Sequence, residues 1–110
     1  MRKFGRKRGQ RKAFFKTLAY NLIMRGRMVT TDARAKEIRP LVEKLVTLAK
    51  KQNLASYRLL LARLPKEAAS KLYYEVAPKY ADRKGGFLRI LKMMKQRKQD
   101  GAKQSVVEFI

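Results

Sequence analysis

The chain has 110 residues, 45% of them apolar, with 29 Lys+Arg against 8 Asp+Glu for a formal charge of +21, and it contains neither cysteine nor histidine. That length supports one domain with a modest core, and the missing residue types exclude disulfides, finger-type zinc sites and imidazole as a general base. No apolar run approaches the roughly 18 residues of a membrane span, and no apolar stretch follows the basic start, as a secretory signal requires.

Where the charge sits says more than its total. Residues 1–31 carry ten basic groups and no acid, residues 32–82 carry eleven basic and six acidic groups, and residues 83–99 carry seven basic groups and no acid. A compact body with such an excess repels itself unless a polyanion compensates, and nucleic acid is the commonest one for a small basic domain.

Residues 1–12, MRKFGRKRGQRK, have glycines at 5 and 9 and too little apolar surface to offset the entropy of ordering. They are expected to form an extension that is disordered alone in water. A targeting tail is the competing reading, although a mitochondrial transit peptide is usually longer and Ser-rich. As a nucleic-acid arm, the extension offers Arg2, Lys3, Arg6, Lys7, Arg8, Arg11 and Lys12 to phosphates. Gly5 and Gly9 would allow close backbone approach.

The domain proper is expected over residues 13–110. Phe14, Phe15, Leu18, Ala19, Leu22 and Ile23 recur at helical spacing and predict a helix over 13–24, with Lys16 one turn beyond Lys12 on its other side. Gly26 suits the left-handed conformation that ends it. Residues 27–31 favour a short strand. Thr31 or Asp32 then caps a long amphipathic helix reaching to about residue 51, the beam of the domain, with an apolar stripe through Ala35, Ile38, Leu41, Val42, Leu45, Leu48 and Ala49. Pro40 deletes one ladder bond and predicts a kink or a restart there.

Asn53 is a plausible cap for a third helix over 54–64, with Leu54, Tyr57, Leu60, Leu61 and Leu64 inward, and Pro65 opens a fourth with Ala68, Leu72, Tyr73 and Val76 inward. Tyr73, Tyr74 and Tyr80 are able to stack on bases, but their helical spacing among aliphatics predicts core or rim positions instead. Residues 83–86 form a turn, followed by strands over 87–93 and 104–110. The loop between them is expected to carry Lys95, Arg97, Lys98 and Lys103. The acid-free run adds Arg83, Lys84 and Lys92 to the candidate phosphate contacts.

No catalytic constellation is present. The carboxylates stand singly among lysines and arginines, Gly85-Gly86 opens a strand rather than a phosphate loop, and the serines have no histidine to activate them. Neither cofactor nor metal nor small-molecule substrate is expected. A broad basic surface without a known reading motif fits a folded RNA recognised by shape better than a DNA operator.

The segments Thr30-Thr31-Asp32-Ala33-Arg34-Ala35-Lys36 and, after a gap of six, Glu43 to Lys50 resemble the bacterial and organellar large-subunit ribosomal protein seventeen family. Ala77-Pro78-Lys79-Tyr80, the run from Asp82 to Lys92 and the last strand resemble it in the same order. The resemblance implies a two-layer α+β domain, about four helices packed on a small sheet of about three strands. It also implies binding to large-subunit ribosomal RNA near the peptide tunnel exit beside other large-subunit ribosomal proteins, with no enzymatic role. Its motifs map onto Thr30, Thr31, Arg34, Lys36 and Lys50, and onto Gly85, Gly86, Phe87 and Arg89. This chain departs from the family in its shorter arm and in having no histidines. The expected setting is the ribosome, in the cytoplasm or in an organelle, without a membrane partner. A nucleoid-type DNA-compacting protein shares the composition and is the alternative. A membrane-active cationic peptide ranks lower, because the apolar stripes read as burying one another.

Overall fold

Gly26 marks the first boundary, with φ at 81° and its amide donating to the Leu22 carbonyl at 2.8 Å. Before it runs helix α1, Arg8–Arg25, and after it strand β1, Arg27–Thr31. The computed structural model describes residues 8–96, 101 and 103–110. Helix α1 thus takes in the last five residues of the basic extension, where disorder was expected. Its turns are continuous with the apolar stripe that buries Phe15, Ala19, Leu22 and Ile23.

Thr31 ends β1 and caps helix α2, Asp32–Ala49: its Oγ1 accepts from the Arg34 amide at 3.4 Å. Pro40 lies inside α2 without a restart. Its ring is exposed, so the carbonyl it leaves without a donor sits on the solvent side, where water serves. At 18 residues the helix is about 27 Å long. Ala35, Ile38, Val42, Leu45, Val46 and Ala49 are buried, whereas Leu41 and Leu48 only pack against the rim of the core.

Helix α3, Leu54–Arg63, begins with a full capping box between Asn53 and Ser56. Because the Ser56 hydroxyl is satisfied by the Asn53 carbonyl at 2.9 Å, serine can take a buried position in line with Leu60 and Leu64. That arc faces inward, so Leu54 and Leu61, expected inside, are 62% and 38% exposed. Helix α4, Lys66–Lys71, follows Pro65 and continues as a π-helical turn, Leu72–Val76, and a 3₁₀ turn, Ala77–Tyr80. These wind Leu72, Val76, Ala77 and Tyr80 into the core, and the Tyr80 hydroxyl donates to the Ile110 carbonyl at 2.6 Å.

Strands β2, Leu88–Gln96, and β3, Lys103–Phe109, complete an antiparallel sheet of order β1-β3-β2. Lys95 and Lys103 therefore belong to strands and not to the loop, while Arg97 and Lys98 lie outside the described residues. The register Arg27↔Glu108↔Arg89 and Met28↔Val107↔Ile90 sorts the strands into two faces. Met28, Val107 and Ile90 belong to the core under the helices; Arg27, Val29, Arg89 and Leu91 are exposed on the other side.

Candidate nucleic-acid interface

Three elements bring the described cations together. On α1, Lys12 and Lys16 stand one turn apart and line, with Lys44 of α2 and Arg63 of α3, a groove of about 630 Å³ floored by Phe15, Leu41 and Leu45. The sequence pointed to Lys12 and Lys16. Lys44 and Arg63 join them only because α2 and α3 pack beside α1.

The second cluster lies at the other end of α1. Arg25, Arg27 and Arg34 line a hollow of about 550 Å³ together with Leu18 and Val29. Arg34 also lies over the Phe14 ring, 4.8 Å from its centroid. This contact holds the guanidinium against α1. Arg25 and Arg27 were not singled out from the sequence; the usable signal was that they flank the Gly26 stop, which the fold turns into the rim of a cavity.

The third cluster is the turn before β2. Arg83, Lys84, Gly85 and Gly86 are all exposed, and Gly86 adopts φ 65°. Lys50, at the end of α2, donates from Nζ to the Arg83 carbonyl and lies over the Phe87 ring, 5.0 Å from its centroid. Lys50 thus braces the turn, and its own charge is partly spent there.

Other sequence candidates are less free. Thr30 is buried and the Thr31 hydroxyl is taken up by the helix cap. Lys36 pairs with Asp32 at 3.1 Å and Arg89 with Glu108 at 2.6 Å. Lys92 is exposed, opposite Ser105 in the register. Arg11 is half-buried on α1. Arg8 opens α1, while Arg2, Lys3, Arg6 and Lys7 lie outside the described residues.

Several carboxylates are held inside the protein's own bonding. Asp32 accepts from Lys36 and from the Ser105 hydroxyl at 2.9 Å, and these bonds hold its carboxyl below the usual range. Glu43 bonds Arg39 at 3.8 Å and the Leu88 amide at 3.4 Å. Glu67 accepts from the Tyr20 hydroxyl at 3.0 Å, which pushes the phenol upward. By contrast Lys12, Lys16, Arg25, Arg27, Lys44, Arg63, Arg83 and Lys84 have no carboxylate partner among the described residues. Tyr73 packs against Tyr57 at 4.9 Å and Tyr80 is buried, so neither presents a stacking face; Tyr74 is 65% exposed. No group of acidic side chains suited to a metal occurs among the described residues, and no helix there is long and apolar enough to cross a membrane.

Such a surface can displace condensed counterions and hold a polyanion by charge and shape. The family model described as Ribosomal protein L17 matches residues 14–110. A "Large ribosomal subunit protein bL17" from Persephonella marina is 49% identical over 97% of this chain and 88% of its own length. Proteins of the same description from Dictyoglomus turgidum and an Exiguobacterium species are 46% and 43% identical, covering 99% and 98% of this chain and 94% and 97% of their own.

Proposed function

The chain belongs to the ribosomal protein L17 family, and we propose on that premise that it is a structural constituent of the large ribosomal subunit. It binds and stabilises folded large-subunit ribosomal RNA in translation, alongside neighbouring ribosomal proteins in the cytoplasmic ribosome, and it is not an enzyme. The observation that carries the RNA contacts is the set of exposed cations on α1, around Gly26 and at the 83–86 turn that have no carboxylate partner among the described residues. These six lysines and arginines repel one another until phosphates replace their counterions.

Within this reading Lys12, Lys16, Arg34, Arg83 and Lys84 touch phosphate, and the exposed backbone at Gly85 and Gly86 lets the RNA approach closely. The residues of the extension, from Arg2 to Arg11, add a second grip. Thr30 and Thr31 act indirectly: they fix the strand-to-helix corner from which Arg34 projects. Arg89, Lys36 and Lys92 enlarge the field around these contacts. A place near the peptide tunnel exit belongs to the same proposal.

The test is sedimentation of tagged protein through a sucrose gradient in high salt. The protein is expected to travel with the large subunit and to be released by RNase. Recovery at the top of the gradient without nuclease, or release by DNase instead, overturns the reading.

A further inference from the structure

The hollow beside Gly26 has a feature that the lysine groove lacks, namely unused backbone. Gly26 O accepts from the Phe109 amide at 3.0 Å, and the register pairs Arg27 with Glu108. In an antiparallel pair, bonded and non-bonded positions alternate. Met28 and Thr30 therefore bond β3, while the N–H and C=O of Arg27 and Val29 point away from it. β1 is an edge strand, and these groups have no partner among the described residues. They open toward the side on which Leu18, Arg25 and Arg34 line the hollow with β1. No acidic residue lines it.

We infer that this hollow takes a single nucleotide extruded from the folded ribosomal RNA, an inference that rests on the ribosomal reading above. Its volume of about 550 Å³ falls within the range of small-ligand pockets and cannot admit a helix of RNA. An unstacked base needs a flat cationic or apolar surface for its face and hydrogen-bonding groups for its edge. The Arg34 guanidinium and the Leu18 side chain supply the first; the donors and acceptors of Arg27 and Val29 supply the second. Arg25 and Arg27, both exposed and without a carboxylate partner among the described residues, hold the flanking phosphates. A strand added by a neighbouring protein is the other natural use of a free edge. The three arginines and the wall formed by α1 favour the nucleotide.

The experiment compares intact large subunits carrying wild-type protein, R25Q/R27Q, or a control of equal charge loss, K51Q/R58Q, placed beyond the far end of α2 and on α3. Base reactivity of the RNA is read with dimethyl sulfate and backbone cleavage with hydroxyl radicals. One or two unpaired bases are expected to become about tenfold more reactive in R25Q/R27Q and unchanged in the control, with the protein still bound. Val29→Pro removes an edge N–H without breaking a ladder bond and is expected to expose the same bases. Backbone changes without base changes, or an unchanged RNA with loss of a crosslink to a neighbouring protein, overturn the inference while leaving the ribosomal reading intact. Wild-type protein absent from the subunit overturns both.

Discussion

The two faces of the sheet divide the labour of this protein. On the covered face Met28, Val107 and Ile90 meet the helices, and Ser105 reaches the start of α2 through Asp32. On the open face the same three strands carry Arg27, Glu108 and Arg89 in one row and Val29, Val106 and Leu91 in the next. Arg27 and Arg89 are two strands apart, about 10 Å, with one carboxylate between them. A single alternation of side chains thus separates residues that hold the fold from residues that face outward and are proposed to meet RNA. Charge can therefore be changed on one face without touching the core beneath the other.

The strongest way to break that separation is to open a hole under the covered face. Ile38 is fully buried on α2, and Ile38→Ala is expected to cost about 2–5 kcal/mol, the sum of lost transfer energy and residual cavity. Urea denaturation measures it. A loss under about 0.5 kcal/mol, the range of ordinary surface substitutions, would mean that the helices do not bear on the sheet as described.

The complementary test works on the exposed turn. R83Q/K84Q removes two charges that hold no carboxylate among the described residues. It is expected to flatten the salt dependence of RNA binding by about one to two units and to leave the melting temperature in place. Between 50 and 200 mM salt that difference amounts to about an order of magnitude in affinity. An unchanged slope would remove the turn from the interface.

Much of this division was legible in advance. Gly26, Thr31, Asn53 and Pro65 are punctuation whose chemistry is local, and each stands where its residue type predicts. The strand at 27–31 followed from its β-favouring residues, and the beam over α2 from its helical periodicity. What depended on packing was not legible. Leu54 and Leu61 read as inward because they are leucines at helical spacing, but the Asn53–Ser56 box turned Ser56 inward in their place. The π-helical turn at Leu72–Val76 has no punctuation to announce it. Among the candidate contacts, acid-free runs pointed correctly to exposed cations such as Lys12, Lys16 and Arg83. They had no means of showing that Arg89 and Lys36 are matched by carboxylates, or that Arg25, Arg27 and Arg34 share one hollow.

A smaller effect is expected at Gly86, where φ is 65° and an added Cβ would meet nothing within 4 Å. Gly86→Ala therefore changes only backbone strain, about 1–2 kcal/mol. Because Lys50 braces this turn from α2, the strain should lower the melting temperature and weaken RNA binding together, unlike R83Q/K84Q. Gly85→Ala is the control, since its φ is not left-handed and the space around it is open. Equal effects of the two substitutions would sink the assignment of strain to Gly86.

The smallest effect concerns Asp32, where the two faces and the helix start meet. Its carboxyl is held below its ordinary value by the Lys36 hydrogen bond first, then by the Ser105 hydroxyl, with attraction from Lys92 of β2 adding to them and its partial burial opposing. A group whose pKa is lower in the folded state stabilises the fold above its ordinary value, near 3.8, and loses that contribution as pH falls through the folded value. Asp32→Asn keeps an acceptor for Ser105 but removes the charge. Stability plotted against pH should therefore differ between wild type and variant at neutral pH and converge in acid, below the carboxylate range. Ser105→Ala should reproduce part of the difference, because it removes the second of the two bonds. Curves that run parallel from neutral to acid pH would show that Asp32 acts by shape alone, and the electrostatic tie between α2 and β3 would have to be given up.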